Sequence, residues 1–255
     1  MDGGICSQMF QYLNGQYYKD ANIKILYDTT WFVKNGKDKD GKFDRKLELT
    51  EMFPDLPFFT LTNRRSWFYR LFFASKQKDG FLPHPDRILH TTYLGGFYDM
   101  YPDDLQGLFT KYFNPETLRS ISVSIPRNVN GVNCAVHVRR GDLANREDRW
   151  YKKVPNEYFI NAIRYVHENN ENVHFYFFSD ELDWVETNLC NHIDVSYRLM
   201  RGNKAYEDLI LISECDIVIA SQGSFGRWGA RLNGCATLIV PSKEAPQGFM
   251  EASIW

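Results

Sequence analysis

One stretch of this chain concentrates groups that could do chemistry. A short apolar run, Cys134-Ala135-Val136, leads into His137-Val138-Arg139-Arg140-Gly141-Asp142. The run reads as a buried strand. A strand that ends in an imidazole, two guanidiniums, a glycine and a carboxylate has no packing reason to do so. Adjacent guanidiniums cost desolvation unless something anionic pairs with them. Phosphate or pyrophosphate fits best, because the guanidinium fork meets its oxygens in pairs. The structural alternative is an ion pair of either arginine with Asp142 or another carboxylate. For His137 a satisfied buried position is the simpler reading.

A second loop points the same way. Ser221-Gln222-Gly223-Ser224 follows an apolar run at 217–220 and opens a helix through Trp228 and Leu232. Free backbone N–H groups and the helix dipole at such a start favour phosphate. An ordinary N-cap by Ser224 is the alternative.

The elements that must position these loops follow from periodicity. Strand 133–138 leads to a helix that Asn156 can cap, running to about 168 with Tyr158, Phe159, Ala162, Ile163 and Val166 on one face. Strand 173–178 ends in Ser179-Asp180, helix 206–215 follows, then strand 217–220 and a final strand at 237–240. Alternating strands and helices imply a parallel, doubly wound sheet. The polar groups all fall just past strand C-termini, the edge where such sheets bind ligands.

The first half is less regular. A glycine turn at Gly3-Gly4 enters a helix with Met9, Tyr12, Leu13 and Gln16 near helical spacing. A strand is expected at 22–27, and a strand ahead of Gly3 would complete the α/β unit, so the chain is read as lacking its first strand. Tyr93–Tyr98 reads as a strand ending in a glycine turn, and 102–113 as a helix. In 64–73, Arg64, Arg65 and Arg70 alternate with Trp67, Phe68, Tyr69, Phe72 and Phe73. Packing between domains would explain this stretch, and so would peripheral membrane contact by interfacial aromatics and snorkelling arginines. The Pro126 region reads as a linker, giving domains 1–125 and 126–255.

Composition excludes several classes. A net charge of −2 over 255 residues gives no case for nucleic acid. Five scattered cysteines without a C-x-x-C pair argue for reduced thiols, against a disulfide framework and against zinc. The N-terminus lacks the apolar core of a signal peptide, and no run reaches the ~20 apolar residues of a spanning helix. A reduced, cytoplasmic setting is expected. Asp38-Lys39-Asp40 spells D-x-D but reads as a solvated loop. The Walker A, nucleophile-elbow and zincin motifs are missing.

His137–Asp142 resembles the H-V-R-R-G-D hallmark of the α-1,2-fucosyltransferases, glycosyltransferase family 11. Four more stretches are similar to family motifs in order and spacing. Gly3-Gly4 with Gln8-Met9-Phe10-Gln11-Tyr12 resembles G-G-L-G-N-Q-M-F-Q-Y. Phe178-Ser179-Asp180 with Trp184 resembles F-S-D-D-x-x-W. Ala205-Tyr206-Glu207-Asp208-Leu209 resembles S-Y-E-D-M. Residues 221–233 resemble N-S-S-F-S-W-W-G-A-x-L-N.

The resemblance implies an α/β, GT-B-like fold of two Rossmann-like halves with parallel sheets. The first half would face the acceptor and the second would bind GDP-fucose. It implies inverting transfer of fucose to the 2-hydroxyl of a terminal galactose on an oligosaccharide, lipid-linked in bacterial O-antigen synthesis, with no metal and no cofactor. Carried over, Arg139 meets the β-phosphate and Arg140 supports the loop or the sugar. His137 and Asp208 are similar to positions that contact guanine and ribose. Asp180, Glu207, Ser221, Gln222, Ser224, Phe225 and Arg227 complete the donor site. Asp142 and Asp180 are candidate bases beside Arg139, and Tyr98 and Asp99 candidate acceptor contacts. Departures from the pattern are Cys6-Ser7, Gln222-Gly223 and Arg227. Two other readings compete: an inverting transferase using another nucleotide sugar, and a non-catalytic nucleotide- or glycan-binding relative.

Overall fold

The computed structural model describes residues 1–34, 36–37, 44–75, 79–113, 123–141, 154–234 and 236–255. Asp142 and the D-x-D loop therefore lie outside the described residues. The chain divides into two compact units, Met1–Leu118 and Arg119–Trp255. The division precedes the expected 125/126 boundary because Ile125 and Pro126 are bonded into the second unit. Ile125 N donates to Glu214 Oε2 at 2.8 Å, and Tyr176 Oη donates to Pro126 O at 2.7 Å.

In the first unit, helix α1 (Ile5–Asp20) buries Gln8, Met9, Tyr12, Leu13 and Gln16, the face its spacing predicts. Gln8 is fully buried and fully used. Its amide nitrogen donates to Gly3 O (3.0 Å) and Lys46 O (2.7 Å), and its oxygen accepts from Glu48 N (2.9 Å) and Leu49 N (3.0 Å). The short helices α2 (Thr30–Lys34) and α3 (Leu49–Met52) precede α4 (Asn63–Phe72). Strands β1 (Asp79–Phe81) and β2 (Phe97–Asp99) pair in parallel, and α5 (Pro102–Tyr112) follows. The expected strand at 22–27 is a single parallel bridge, Tyr27 to Thr60, and Tyr93 bridges Ala74 ahead of β2. Isolated bridges carry too few ladder bonds to make strands of these segments.

The second unit holds β3 (Asn133–Val138), α6 (Asn156–Asn169), β4 (His174–Ser179), α7 (Leu182–Asn188), β5 (Tyr197–Leu199), α8 (Ala205–Ser213), β6 (Ile217–Ala220), α9 (Phe225–Asn233), β7 (Thr237–Pro241) and β8 (Phe249–Ala252). The sheet order is β5-β4-β3-β6-β7-β8, parallel except for the antiparallel edge strand β8, which the sequence reading missed. Pro155, not Asn156, occupies the N-cap of α6. Every residue of β3 is buried because each face meets its own core. Val136 and Val138 pack with Phe159 and Ile163 of α6, while Ala135 packs with Leu211 and Ile212 of α8. This mixed α/β architecture with parallel strands is consistent with the GT-B-like class. Strand order reverses between β3 and β6, and the C-terminal ends of strands at such a reversal are where open α/β sheets bind ligands.

One buried carboxylate organises the first unit. Asp28, 6% exposed, accepts from Thr30 N and Oγ1, Ser66 Oγ, Tyr93 Oη and Arg70 Nε, and Arg70 Nη2 lies 2.6 Å from its Oδ2. Burial alone would raise this carboxyl's pKa. The bonds from Thr30, Tyr93 and Arg70 outweigh it and hold the group well below the usual carboxylate range. Stability from ionised Asp28 is therefore present above its unfolded pKa of about 3.9 and lost as pH falls toward the lower folded value. Breaking a buried pair costs about 3–5 kcal/mol, and the half-exposed Arg70 lowers that. Asp28→Ala should destabilise the protein by about 2–3 kcal/mol in urea denaturation at pH 7, with a smaller difference from wild type below about pH 3.

Candidate nucleotide-sugar site

The site is built where β3, β4 and β6 end together. β3 pairs in parallel with β4 on one side and β6 on the other, placing His137 beside Phe178 and Ala220. The loop after β3 is then held by side chains from both neighbours. Ser221, 2% exposed, accepts the Arg139 N–H on its Oγ at 3.0 Å, and its own N–H donates to His137 O at 3.0 Å. On the other side, Asp180 Oδ1 accepts the Arg140 N–H at 2.9 Å. The loop backbone is thus fixed before any ligand arrives.

Arg139 and Arg140 are delivered to different places. The Arg140 guanidinium stacks 3.5 Å from the centre of the Trp184 ring, and its Nε donates to Glu181 Oε2 at 3.0 Å. Its side chain is only 12% exposed. Of the two roles expected for Arg140, support of the loop is the one its contacts with Asp180, Glu181 and Trp184 fit. The Arg139 side chain runs along Gly223, where an added Cβ would lie 3.9 Å from Arg139 Cδ. Gly223 has φ +98°, a conformation that favours glycine, and this turns the chain into α9. Ser224 is exposed and makes no side-chain cap bond to that helix. Arg139 therefore lies beside a helix start whose first N–H groups lack a side-chain cap.

His137 is buried and stacks on Phe225 with ring centroids 5.0 Å apart. Burial, with Arg139's charge adding to it, pulls its pKa down to about 3, so the imidazole is neutral. Its Nδ1 lies 3.4 Å from Ser221 Oγ. Close packing of α9 here needs Gly226, whose added Cβ would sit 2.7 Å from Ala220 Cβ. Asp180 is solvent-accessible, yet crowding by the loop raises its carboxyl pKa against the opposing pull of the Arg140 and Gly141 N–H groups and Arg139's charge.

The remaining expected residues divide. Asp208, at the start of α8, receives a bond from Asn203 Nδ2 at 2.8 Å. Its pKa is pushed up to about 6, chiefly by burial, with Asn203 opposing and Glu207's charge adding. Glu207 turns back to accept the Lys204 N–H on Oε2 at 2.7 Å, an internal cap of α8. Gln222 carries a buried amide oxygen with no hydrogen-bond partner. Burial pushes the Tyr158 phenol pKa up, with the charge of nearby Arg227 opposing, and Tyr158 Oη donates to Ala220 O (2.7 Å) and Ile239 O (3.1 Å). In the first unit, Asp99 is exposed but Tyr98 is 4% exposed and sits in the core, which removes its ring from acceptor contact. Sequence reading missed Glu181, Asn203 and Tyr158. Only Trp184, spaced behind Phe178-Ser179-Asp180, hinted at the Arg140 clamp.

A family model described as glycosyl transferase family 11 matches residues 97–253, more than half of the chain. The chain belongs to glycosyl transferase family 11. Similar proteins include an alpha-1,2-colitosyltransferase of Escherichia coli, 29% identical over 139 residues that make up 48% of each chain. The O-antigen biosynthesis glycosyltransferase WbnK of Escherichia coli is 28% identical over 44% of this chain and 38% of its own. A galactoside alpha-(1,2)-fucosyltransferase 1 of Aotus azarae is 32% identical over 44% of this chain and 31% of its own. The chain thus spans about half or less of the curated relatives it matches.

The clamp on Arg140 is testable by a double-mutant cycle. Cation–π stacking reaches about 2 kcal/mol when desolvated. Arg140→Ala and Trp184→Ala should each lower unfolding free energy, with a coupling of about 1–2 kcal/mol between them. Additive losses would show that the stacking contributes nothing.

Proposed function

We propose that this family 11 chain is an inverting α-1,2-fucosyltransferase. It moves fucose from GDP-fucose to the 2-hydroxyl of a terminal galactose, without a metal, in bacterial surface polysaccharide synthesis on the cytoplasmic side. The observation that carries this is the meeting of Arg139 with the uncapped start of α9 at the strand-order reversal. The departing diphosphate gains negative charge as the sugar leaves. A guanidinium on a fixed backbone and helix-terminal amides can stabilise that charge with little reorganisation. The fixed backbone of the β3 loop supplies the preorganisation.

The surrounding groups fit a nucleoside. Neutral His137 can exchange hydrogen bonds with a base rather than repel one. The unsatisfied Gln222 amide oxygen can accept from a ring or hydroxyl donor, relieving a cost of about 1–3 kcal/mol. Ionised Asp208 can accept from ribose hydroxyls or guanine N–H groups. Inversion requires in-line attack by the acceptor hydroxyl, whose proton passes to a carboxylate. Asp180 and Asp142 are the candidates, and the raised pKa of Asp180 suits it to accept a proton. An oxocarbenium-like transition state is favoured by the same carboxylates. Exposed Asp99 remains the acceptor-side candidate on β2.

The colitosyl relative supports a second reading. Colitose is fucose without its 3-hydroxyl, so the donor could be the corresponding 3-deoxy sugar nucleotide. Mass spectrometry of a galactose-terminated acceptor with both donors supplied separates the two, since the products differ by one oxygen.

Arg139→Ala should reduce kcat/KM for transfer by about a hundredfold or more in that assay, with chelator present throughout. Near-normal turnover would remove Arg139 from the mechanism. GDP should compete with the donor, and UDP and CMP should not.

Asp208 gives an opposite pair of effects. Its folded pKa lies above the unfolded value, so the ionised form destabilises the fold, and stability rises as pH falls from above 6 toward 4. Asp208→Asn should therefore raise unfolding free energy at pH 7 by about 1–2 kcal/mol, discounted for partial exposure. The same change should raise the donor KM. In the wild type the donor KM should climb below about pH 6. A donor KM unmoved by the substitution would exclude Asp208 from the donor site.

A further inference from the structure

Helix α4 is amphipathic the wrong way round. Ser66 and Arg70, four residues apart on one face, both bind the buried Asp28. Arg70 Nη2 also donates to Thr30 Oγ1 at 2.7 Å. The polar face of the helix is therefore tied inward. On the other side Trp67 (62% exposed), Phe68 (46%), Leu71 (59%) and Phe72 (62%) point outward. The Phe68 and Phe72 rings touch, with centroids 4.9 Å apart, so the apolar surface is continuous. Arg64 and Arg65 are exposed on the first turn, and the helix contains no acidic residue. The helix cannot roll its aromatics inward without abandoning the Asp28 bonds.

We propose that this face of α4 docks on an anionic lipid bilayer, lying in the interface with its aromatics among the acyl chains and its arginines at the headgroups. The charge argues for this occupant. An uninterrupted apolar surface with cations and no anions on the same helix matches anionic headgroups over a hydrocarbon layer. Exposed apolar patches of this kind mark interaction surfaces rather than ordinary monomer surface. Among the described residues no helix is long and apolar enough to cross a membrane, so α4 would lie on the bilayer. Lodging there would bring the chain to a lipid-linked acceptor. The docking itself needs no nucleotide sugar and stands apart from the proposed reaction.

Co-sedimentation of the full chain with vesicles tests this. Binding to phosphatidylglycerol-rich vesicles should exceed binding to pure phosphatidylcholine by about tenfold or more, and should weaken with salt. Arg64→Glu with Arg65→Glu should remove the preference for anionic vesicles. Trp67→Ser, Phe68→Ser, Leu71→Ser and Phe72→Ser together should abolish binding to both, with cooperative urea unfolding retained because these side chains are exposed. Absence of vesicle binding by the wild type would overturn the proposal, as would unaltered binding by both variants. Loss of cooperative unfolding in either variant would show that the face is buried within the protein, and overturn it. A lipid-free dimer that these substitutions dissolve, without vesicle binding, would assign the face to a second copy and overturn it too.

Discussion

Two side-chain acceptors hold the functional half of this molecule together. The Ser221 hydroxyl takes the Arg139 N–H and the Asp180 carboxylate takes the Arg140 N–H. They come from strands on opposite sides of β3, so the loop between them is strung like a bridge across three strand ends. An irregular loop ordinarily wanders, because each residue it orders loses conformational entropy. Here the sheet supplies that order. The direction of each arginine then follows from its neighbours. Trp184 and Glu181 draw Arg140 sideways, and the open backbone of Gly223 leaves room for the stem of Arg139.

The centre of the second unit was legible because β3, β4 and β6 are buried on both faces and polar residues interrupt their apolar runs abruptly. Those interruptions mark strand ends, and strand ends in a parallel sheet face the ligand. What the sequence withheld was direction. Arg140 and Glu207 have the same side-chain chemistry as donor ligands, yet one lies on an indole and the other caps its own helix. Residue type says what a group can bind, and only the fold says where it points. The edge strand β8 escaped notice because half of it is solvent-facing and shows no alternation.

The first unit was harder to read, for a different reason. Its pairings are single bridges and very short strands, held in place by contacts far apart in sequence. Asp28 sits in an unremarkable Tyr-Asp-Thr run, and its partners Ser66, Arg70 and Tyr93 are 38, 42 and 65 residues away. No local pattern announces such a centre. The same holds for Gln8, which looks like one polar residue in a helix and in fact fastens α1 to the chain at 46–49.

Phe225 rests on His137 and helps to keep that imidazole out of water. An imidazole with an ordinary pKa would switch charge between about pH 5 and 8. This one is held near pKa 3 and stays uncharged throughout. The positive charge next to it belongs to a guanidinium, which no cellular pH can discharge. The positive charge beside β3 therefore does not depend on the protonation of His137.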